Sequence, residues 1–321
     1  MTHRQLRSWL LTLCCAFASA GVPAAPEANQ VSQLKITLLS TMLADDGIGE
    51  WGFAALVEAD GRKLLIDTGA RPDTVLQNAK ELKIDLSQAH AVVLTHFHND
   101  HVGGLMTLRT SLKTQDPAAL STAYVARGIF YSRPDEQGEG NVMIAMKPKF
   151  EATGGEFVEQ TGMTQIMPGV WLTGPIPRVY PERNWSGSGQ VRTPQGLVED
   201  NVPDDQSLII DTAQGLIVVT GCGHAGIVNI LTAADRQFHK PTMAVIGGVH
   251  LFRATDTQVD WTGDKMKGFG VRYFIGAHCT GIESVYRLRT RIGLSRQTAV
   301  VGAVGATFVM GEGIHPGRLA Q

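Results

Sequence analysis

The sequence predicts an α/β protein of four layers, an αββα sandwich in which two stacked β-sheets carry helices on both outer faces. Three observations predict it. A hairpin that feeds a helix occurs twice: "ALVEADGRKLLIDTGARPDTVLQNAK" reads strand, turn, strand, D-T-G, helix, and "LIIDTAQGLIVVTGCGHAGIVNILTAA" repeats that order. The strands are apolar at successive positions, as expected of sheets covered on each side. The chain is 321 residues long, 43% hydrophobic and 18% charged, which suits one sizeable globular domain. Two copies make an architectural echo, not a solenoid.

Taken in order, the chain opens with "MTHRQLRSWLLTLCCAFASAGVPAA". Arg4 and Arg7 precede an apolar run from Trp9 to Ala20, and Ala18-Ser19-Ala20 fits a cleavage site, with Val22-Pro23-Ala24 as a second option. This is the pattern of a secretory signal peptide over 1–25. The apolar run is too short for a bilayer span, which needs roughly 20 residues. Leu13 before Cys14 fits a lipoprotein site poorly. Export implies a periplasmic or secreted protein with no stable membrane insertion after leader removal. Loss of Arg4 and Arg7 leaves 26 basic against 30 acidic residues, and nothing in that balance points to nucleic acid or an anionic membrane. A small-molecule substrate is the expected partner. Cys222 and Cys279 are the cysteines of the mature domain, 26–321, and an oxidising compartment permits a disulfide between them.

Strands are predicted at 34–40, 52–59, 62–66 and 90–95, with Asp60-Gly61 turning the second into the third, and helices at 71–83 and 101–113. "GIGEWG", 47–52, reads as a loop bordering the site. A polar, Gly/Pro-rich region inserted at about 127–206 holds short strand-like pieces such as "GVWLTG". A second series follows, with strands at 207–212, 215–220, 242–247 and 271–276, and helices at 225–238 and 280–293.

The chemistry concentrates in "AHAVVLTHFHNDHVGGL". His96 stands at the carboxyl end of a buried strand, His98 in the turn, and Asp100 and His101 at the start of a helix, where a carboxylate meets free N–H groups. Gly103 and Gly104 let that turn pack closely. Three imidazoles and a carboxylate within six residues repel when protonated and cost desolvation when buried, so a metal ion is the expected occupant. The donors suit Zn²⁺ best, as one or two ions, with Fe²⁺ or Mn²⁺ as options.

This H-x-H-x-D-H run, with "LLIDTG", "VVTGCGHAGIVNIL" and "FIGAHCTG", resembles the metallo-β-lactamase fold superfamily from about residue 34 to 310. The resemblance implies one ion on His96, His98 and His224 and a second on Asp100, His101 and His278, with Asp67 as the carboxylate that orients a ligating imidazole. Most members also provide a bridging acid after the strand that follows the third motif. Here that stretch is "MAVIGGVHLF", which offers His250 and no carboxylate. Together with "TGPIPRVYPE" and "DDQSLII", these motifs resemble the subgroup named for 7,8-dihydropterin-6-yl-methyl-4-(β-D-ribofuranosyl)aminobenzene 5′-phosphate synthase.

The leading functional expectation is a periplasmic metal-dependent hydrolase using a metal-activated water on an ester, amide, lactone or phosphoester. Asp100 would handle the proton and His250 the developing charge, with Cys222 and Cys279 as soft neighbours of the ions. The alternatives are a transferase joining a pterin diphosphate to an aminobenzene ribotide, implied by the subgroup, and a metal-containing binding protein without turnover. Arg178, Glu182 and Arg183 read as a solvated loop face before a substrate clamp, Asp204-Asp205 as a turn with a strand cap before a metal neighbour, and Trp185 as a pocket residue.

Overall fold

The computed structural model describes residues 30–184 and 189–320. The leader and Trp185 lie outside the described residues. Around the hairpin Ala54–Ala59/Arg62–Ile66 an eight-stranded sheet is built. Asp60 and Gly61 both hold positive φ (47° and 78°), the geometry a two-residue hairpin turn asks for. Leu34–Ser40 adds antiparallel on one side; Ala89–Val93, Thr122–Ala126 and Glu156–Gln160 add in parallel on the other. The seven-stranded second sheet repeats this plan. Its hairpin Ser207–Thr212/Gly215–Thr220 is followed by Thr242–Gly247, Tyr273–Gly276 and Ala299–Val301, all parallel. Parallel neighbours need crossover connections. Helix Thr74–Glu81 supplies one in the first sheet and helix Ile227–Phe238 its counterpart in the second.

Side-chain alternation sorts the strand residues into layers. Leu208, Ile210, Ile217, Val219 and Ile246 pack between the sheets with Ile36, Leu38, Val57 and Leu64. Their neighbours Ile209, Val218, Val245 and Phe274 face outward, onto Ile230 of the crossover helix, Val259 of helix Asp256–Gly268 and Leu288 of helix Ile282–Ile292. In the first sheet Leu56, Leu65 and Val92 likewise meet Val75, Leu108 and Phe150. Both faces of each sheet are therefore covered, which is why the strands read as continuous apolar runs. Truncating a residue such as Ile217 to Ala would cost about 2–5 kcal/mol in cavity and transfer terms.

Four departures from the sequence reading bear on the site. The strand expected at 90–95 ends at Val93, leaving Thr95 and His96 in the loop beyond it. The helix expected at 101–113 is two helices, Asn99–Val102 and Leu105–Leu112, broken at Gly103-Gly104. Helices Val142–Ala152 and Asp256–Gly268 were not anticipated. The stretch 127–206 is woven into the sandwich: Glu156–Gln160 edges the first sheet, while Thr164–Met167 and Val170–Leu172 edge the second. Among the described residues no helix is long and apolar enough to cross a membrane.

Candidate metal centre

The carboxyl ends of the two central hairpins and of the parallel strands beside them meet at one edge of the sandwich. The loop after Ala89–Val93 delivers His96 and His98, and the short helix after it delivers Asp100 and His101. That helix is clamped against the loop 67–70: Thr68 N donates to the His101 carbonyl at 2.7 Å and Gly103 N to the Gly69 carbonyl at 3.0 Å. The approach demands glycine. A Cβ on Gly103 would lie 2.1 Å from the Ala70 oxygen, and one on Gly104 2.3 Å from the Thr68 oxygen. The second sheet supplies His224 after Gly215–Thr220, His250 after Thr242–Gly247 and His278 after Tyr273–Gly276. Asp67, His250 and His278 all hold left-handed backbone (φ 53°, 47° and 47°), strain of the kind that gathers at functional sites.

These donors converge in two sets. His96, His98 and His224 form one and Asp100, His101 and His278 the other, each with its ligand atoms within 4.8 Å of one another. The ring centroids of His96, His98 and His224 stand 4.6–4.9 Å apart. His278 Nε2 lies 3.3 Å from Asp100 Oδ2. The structure thus brings together all six residues that the resemblance paired as ligands. It also brings His250 beside His224, with ring centroids 4.4 Å apart, and groups it with Cys222 and Cys279. Both cysteines are buried free thiols.

Asp67 governs the tautomers. Its carboxylate is fully buried and accepts His101 Nδ1–H at 2.7 Å, Thr95 N at 2.7 Å and Thr95 Oγ1 at 2.7 Å. Because the Thr95 hydroxyl donates to Asp67, its oxygen accepts from His96 Nδ1–H at 3.0 Å. His224 Nδ1–H donates to the Asn184 carbonyl at 2.6 Å. Three imidazoles therefore turn Nε2 inward. Among the described residues the Nε2 atoms of His96 and His224 have no hydrogen-bond partner, although both side chains are fully buried. Orphaned buried acceptors cost free energy and call for an explanation. A cation is the occupant that fits lone pairs converging from several imidazoles.

The electrostatics agree with that fit. Desolvation drives His96 and His224 well below the ordinary imidazole range and takes His98 to about 3, so all three are neutral at pH 7, the form that can ligate a metal. Burial opposes ionisation of Asp100, but His101, His278 and His98 outweigh it and hold the carboxyl below its usual range. Burial also opposes charge on His101, but Asp67 and Asp100 outweigh it and raise the imidazole to about 9. His101 thus carries a proton that a metal ion must displace. Burial pushes the Cys222 thiol up.

Residues that the sequence reading set aside turn out to brace the ligand loops. Asp204 accepts Phe97 N at 2.9 Å and pairs with Arg133, whose guanidinium also meets Asp200 at 2.8 Å and stacks 3.5 Å over the Phe97 ring. Asp205 accepts Ala225 N at 2.9 Å, and burial raises its carboxyl to about 7. Both carboxylates are buried, so they do more than cap a turn, and neither joins a ligand set. Arg178 donates to the His224 carbonyl at 2.7 Å, and Glu182 is buried against the amides of Val228 and Asn229 at the start of helix Ile227–Phe238. These two form an internal brace in place of the expected solvated face. Arg183 is mostly exposed and pairs with Glu199 at 2.6 Å. In the loop 47–52, Glu50 is buried on Ser40 Oγ and the amides of Ala70 and Arg71. Beside it Trp51 packs 4.8 Å from His278, ring to ring, so this loop does border the site. A cleft of about 410 Å³ opens alongside, lined by Asn184, His250, Phe252, Arg253 and Trp261 among others. Arg178, Glu182, Asp204 and Asp205 stood out in the sequence by residue type, but their bracing partners, like those of Arg133 and Glu50, depend on tertiary contacts.

Fold and donor arrangement define an α/β sandwich with candidate metal ligands at one edge, and the chain belongs to the metallo-beta-lactamase superfamily, whose family model matches residues 52–238. Among curated proteins it is similar to the 7,8-dihydropterin-6-methyl-4-(beta-D-ribofuranosyl)-aminobenzene-5′-phosphate synthase of Methanocaldococcus jannaschii, with 28% identity over 80% of this chain and 90% of that one. Among solved structures it resembles Tm1679, a metal-dependent hydrolase of the beta-lactamase superfamily, with TM-score 0.70, 25% identity and coverage of 85% of this chain and 98% of that one. It shares its fold with Zn²⁺-bound PqqB from Methylobacterium extorquens, with TM-score 0.52, 15% identity and coverage of 85% and 99%.

Proposed function

We propose that this protein is a metal-dependent hydrolase of small molecules, exported by its leader to the periplasm or medium. The observation that carries the reading is the pair of buried, unpartnered imidazole nitrogens on His96 and His224, set among two three-residue donor groups. His96, His98 and His224 would hold one divalent ion and Asp100, His101 and His278 a second, with zinc the best match to imidazole and carboxylate donors. Ions bound there supply Lewis acidity, which brings the ionisation of water toward neutral pH and polarises a carbonyl or phosphoryl oxygen. The chain's own residues do the rest. Asp67 and Thr95 hold two ligand imidazoles in one tautomer. Asp100, the partly exposed member of its set, would accept a proton from an incoming nucleophile. His250 lines the cleft and stands against His224, and in this reading it would steady charge on a bound substrate. Phe252 and Trp261 offer the substrate apolar surface, and Arg253 offers it positive charge.

The test is to assay zinc-loaded full chain and His96→Ala on a panel of esters, lactones, amides and phosphodiesters. Hydrolysis that chelation and His96→Ala abolish is expected. A second reading has its own support in the 28% identity to the dihydropterin synthase along most of both chains. In that reading the same six residues would hold ions whose positive charge would suit a diphosphate leaving group, with an aminobenzene ribotide as the nucleophile toward the pterin side-chain carbon that the diphosphate leaves. Condensation of that pair, with no hydrolysis across the panel, would replace the first reading by the second.

A further inference from the structure

Resting on the two-ion reading above, we infer that Cys222 is itself a metal ligand, its thiolate shared by both ions in the place of the missing bridging carboxylate. Cys222 follows strand Gly215–Thr220 by two residues. The intervening Gly221 brings the backbone down onto the floor of the site: a Cβ there would lie 2.1 Å from Thr95 Oγ1 and 2.6 Å from Asp67 Oδ2. The Cys222 sulfur consequently arrives 3.1 Å from His101 Nε2, almost out of contact with solvent at 2% exposure.

The grouping of donors carries the inference. His96 belongs to the first ligand set and His101 to the second, yet their ligand atoms and the Cys222 sulfur all lie within 4.8 Å of one another. Cys222 therefore lies within 4.8 Å of a ligand atom from each set, and His96, whose Nε2 is unpartnered, is in the same group. His250 cannot serve this way, because the two nitrogens of an imidazole present their lone pairs in divergent directions. A thiolate sulfur carries several lone pairs on one atom and brings the same single negative charge as the absent carboxylate. Cys279 is the natural rival, but it groups only with Cys222 and His250, and its sulfur lies 3.7 Å from the Cys222 carbonyl. A thiolate at the junction would also select borderline ions such as Zn²⁺, Fe²⁺ or Co²⁺ over Mg²⁺ or Ca²⁺.

The experiment is spectroscopic and needs no turnover. Full chain loaded with Co²⁺ should show a sulfur-to-cobalt charge-transfer band in the near ultraviolet beside the visible bands of bound Co²⁺. Cys222→Ser should lose the charge-transfer band while keeping visible bands, and Cys279→Ser should keep both. Cys222→Asp should retain two ions without the ultraviolet band, since a carboxylate can bridge. X-ray absorption of the unaltered zinc protein gives a readout independent of any variant's folding: a Zn–S shell near 2.3 Å of about one sulfur per zinc. Half that number would mean a terminal ligand, and none a thiol outside the coordination sphere; either result overturns the bridge, as does a band that follows Cys279. Visible Co²⁺ bands with no thiolate signature would sink this inference and leave the two-ion reading intact. A protein that binds no Co²⁺ or Zn²⁺ would remove both.

Discussion

In the first half of the sandwich, one loop and one helical turn after Ala89–Val93 deliver His96, His98, Asp100 and His101 within six residues. In the second half the same hairpin-then-parallel plan delivers one histidine per loop: His224, His250 and His278 follow three successive strands. Each donor set takes two members from the first half and one from the second. The difference teaches that neither of these two sets is complete within one half, so an ion bound in either would tie the two sheets together as well as serve chemistry.

The largest effect expected of this division is loss of a whole ion. His224→Ala and His278→Ala should each remove about one equivalent of zinc from the full chain, with affinity at the depleted set down by at least about 100-fold. Chelator competition with elemental analysis checks this, and normal occupancy in both variants would mean that the first half binds metal unaided. Next in size is the brace that ties the first-half loop to the segment before the second hairpin. Arg133→Met would strand the buried carboxylates of Asp200 and Asp204, costing about 3–5 kcal/mol in a urea titration. An unchanged midpoint would show that the halves do not depend on this pair.

Asp67 tests the first half from within. Asp67→Ala leaves His101 Nδ1–H and Thr95 without their acceptor, and metal affinity should fall about 10–100-fold. Calorimetric titration with zinc measures it. The gentlest effect is on pH. With His101 raised to about 9 by Asp67 and Asp100, uptake at its set must expel the His101 proton, with a second from the Cys222 thiol where that residue ligates. The His101 share alone should raise affinity about tenfold per pH unit between pH 6.5 and 9 and flatten above. Stability of the metal-free protein runs the other way. The raised pKa means that the His101 contribution is fully present below about 6.5 and is lost as pH rises through about 9. Proton release measured in buffers of different ionisation enthalpy decides it, and no release at pH 7 would place His101 outside the ligand set.

What was legible in the sequence follows the same division. The first-half donors are local, so residue type and spacing displayed them together, and the two hairpins showed as apolar runs around Asp60-Gly61 and Gln214-Gly215. His224 and His278 were found through their motifs, since nothing local says that they meet. The missed helix Val142–Ala152 buries only Met143 and Phe150 and contains Pro148, which blunts its periodicity. Helix Asp256–Gly268 is polar with Gly263 inside, yet Thr255 and Gln258 form a capping box that was readable as a start signal. Asp204-Asp205 read as a turn with a strand cap before a metal neighbour, but their bracing role, and Arg133 itself, could not be read. Buried charge is stable only through partners up to 107 residues away, and those partners are set by the fold.

The most direct test is the metal content of the full chain, purified from zinc-replete cells without chelator. About two equivalents of divalent ion per chain are expected, falling in His96→Ala. A folded protein that carries no ion, and takes up none when zinc is added, would contradict the assignment of these buried imidazoles as ligands.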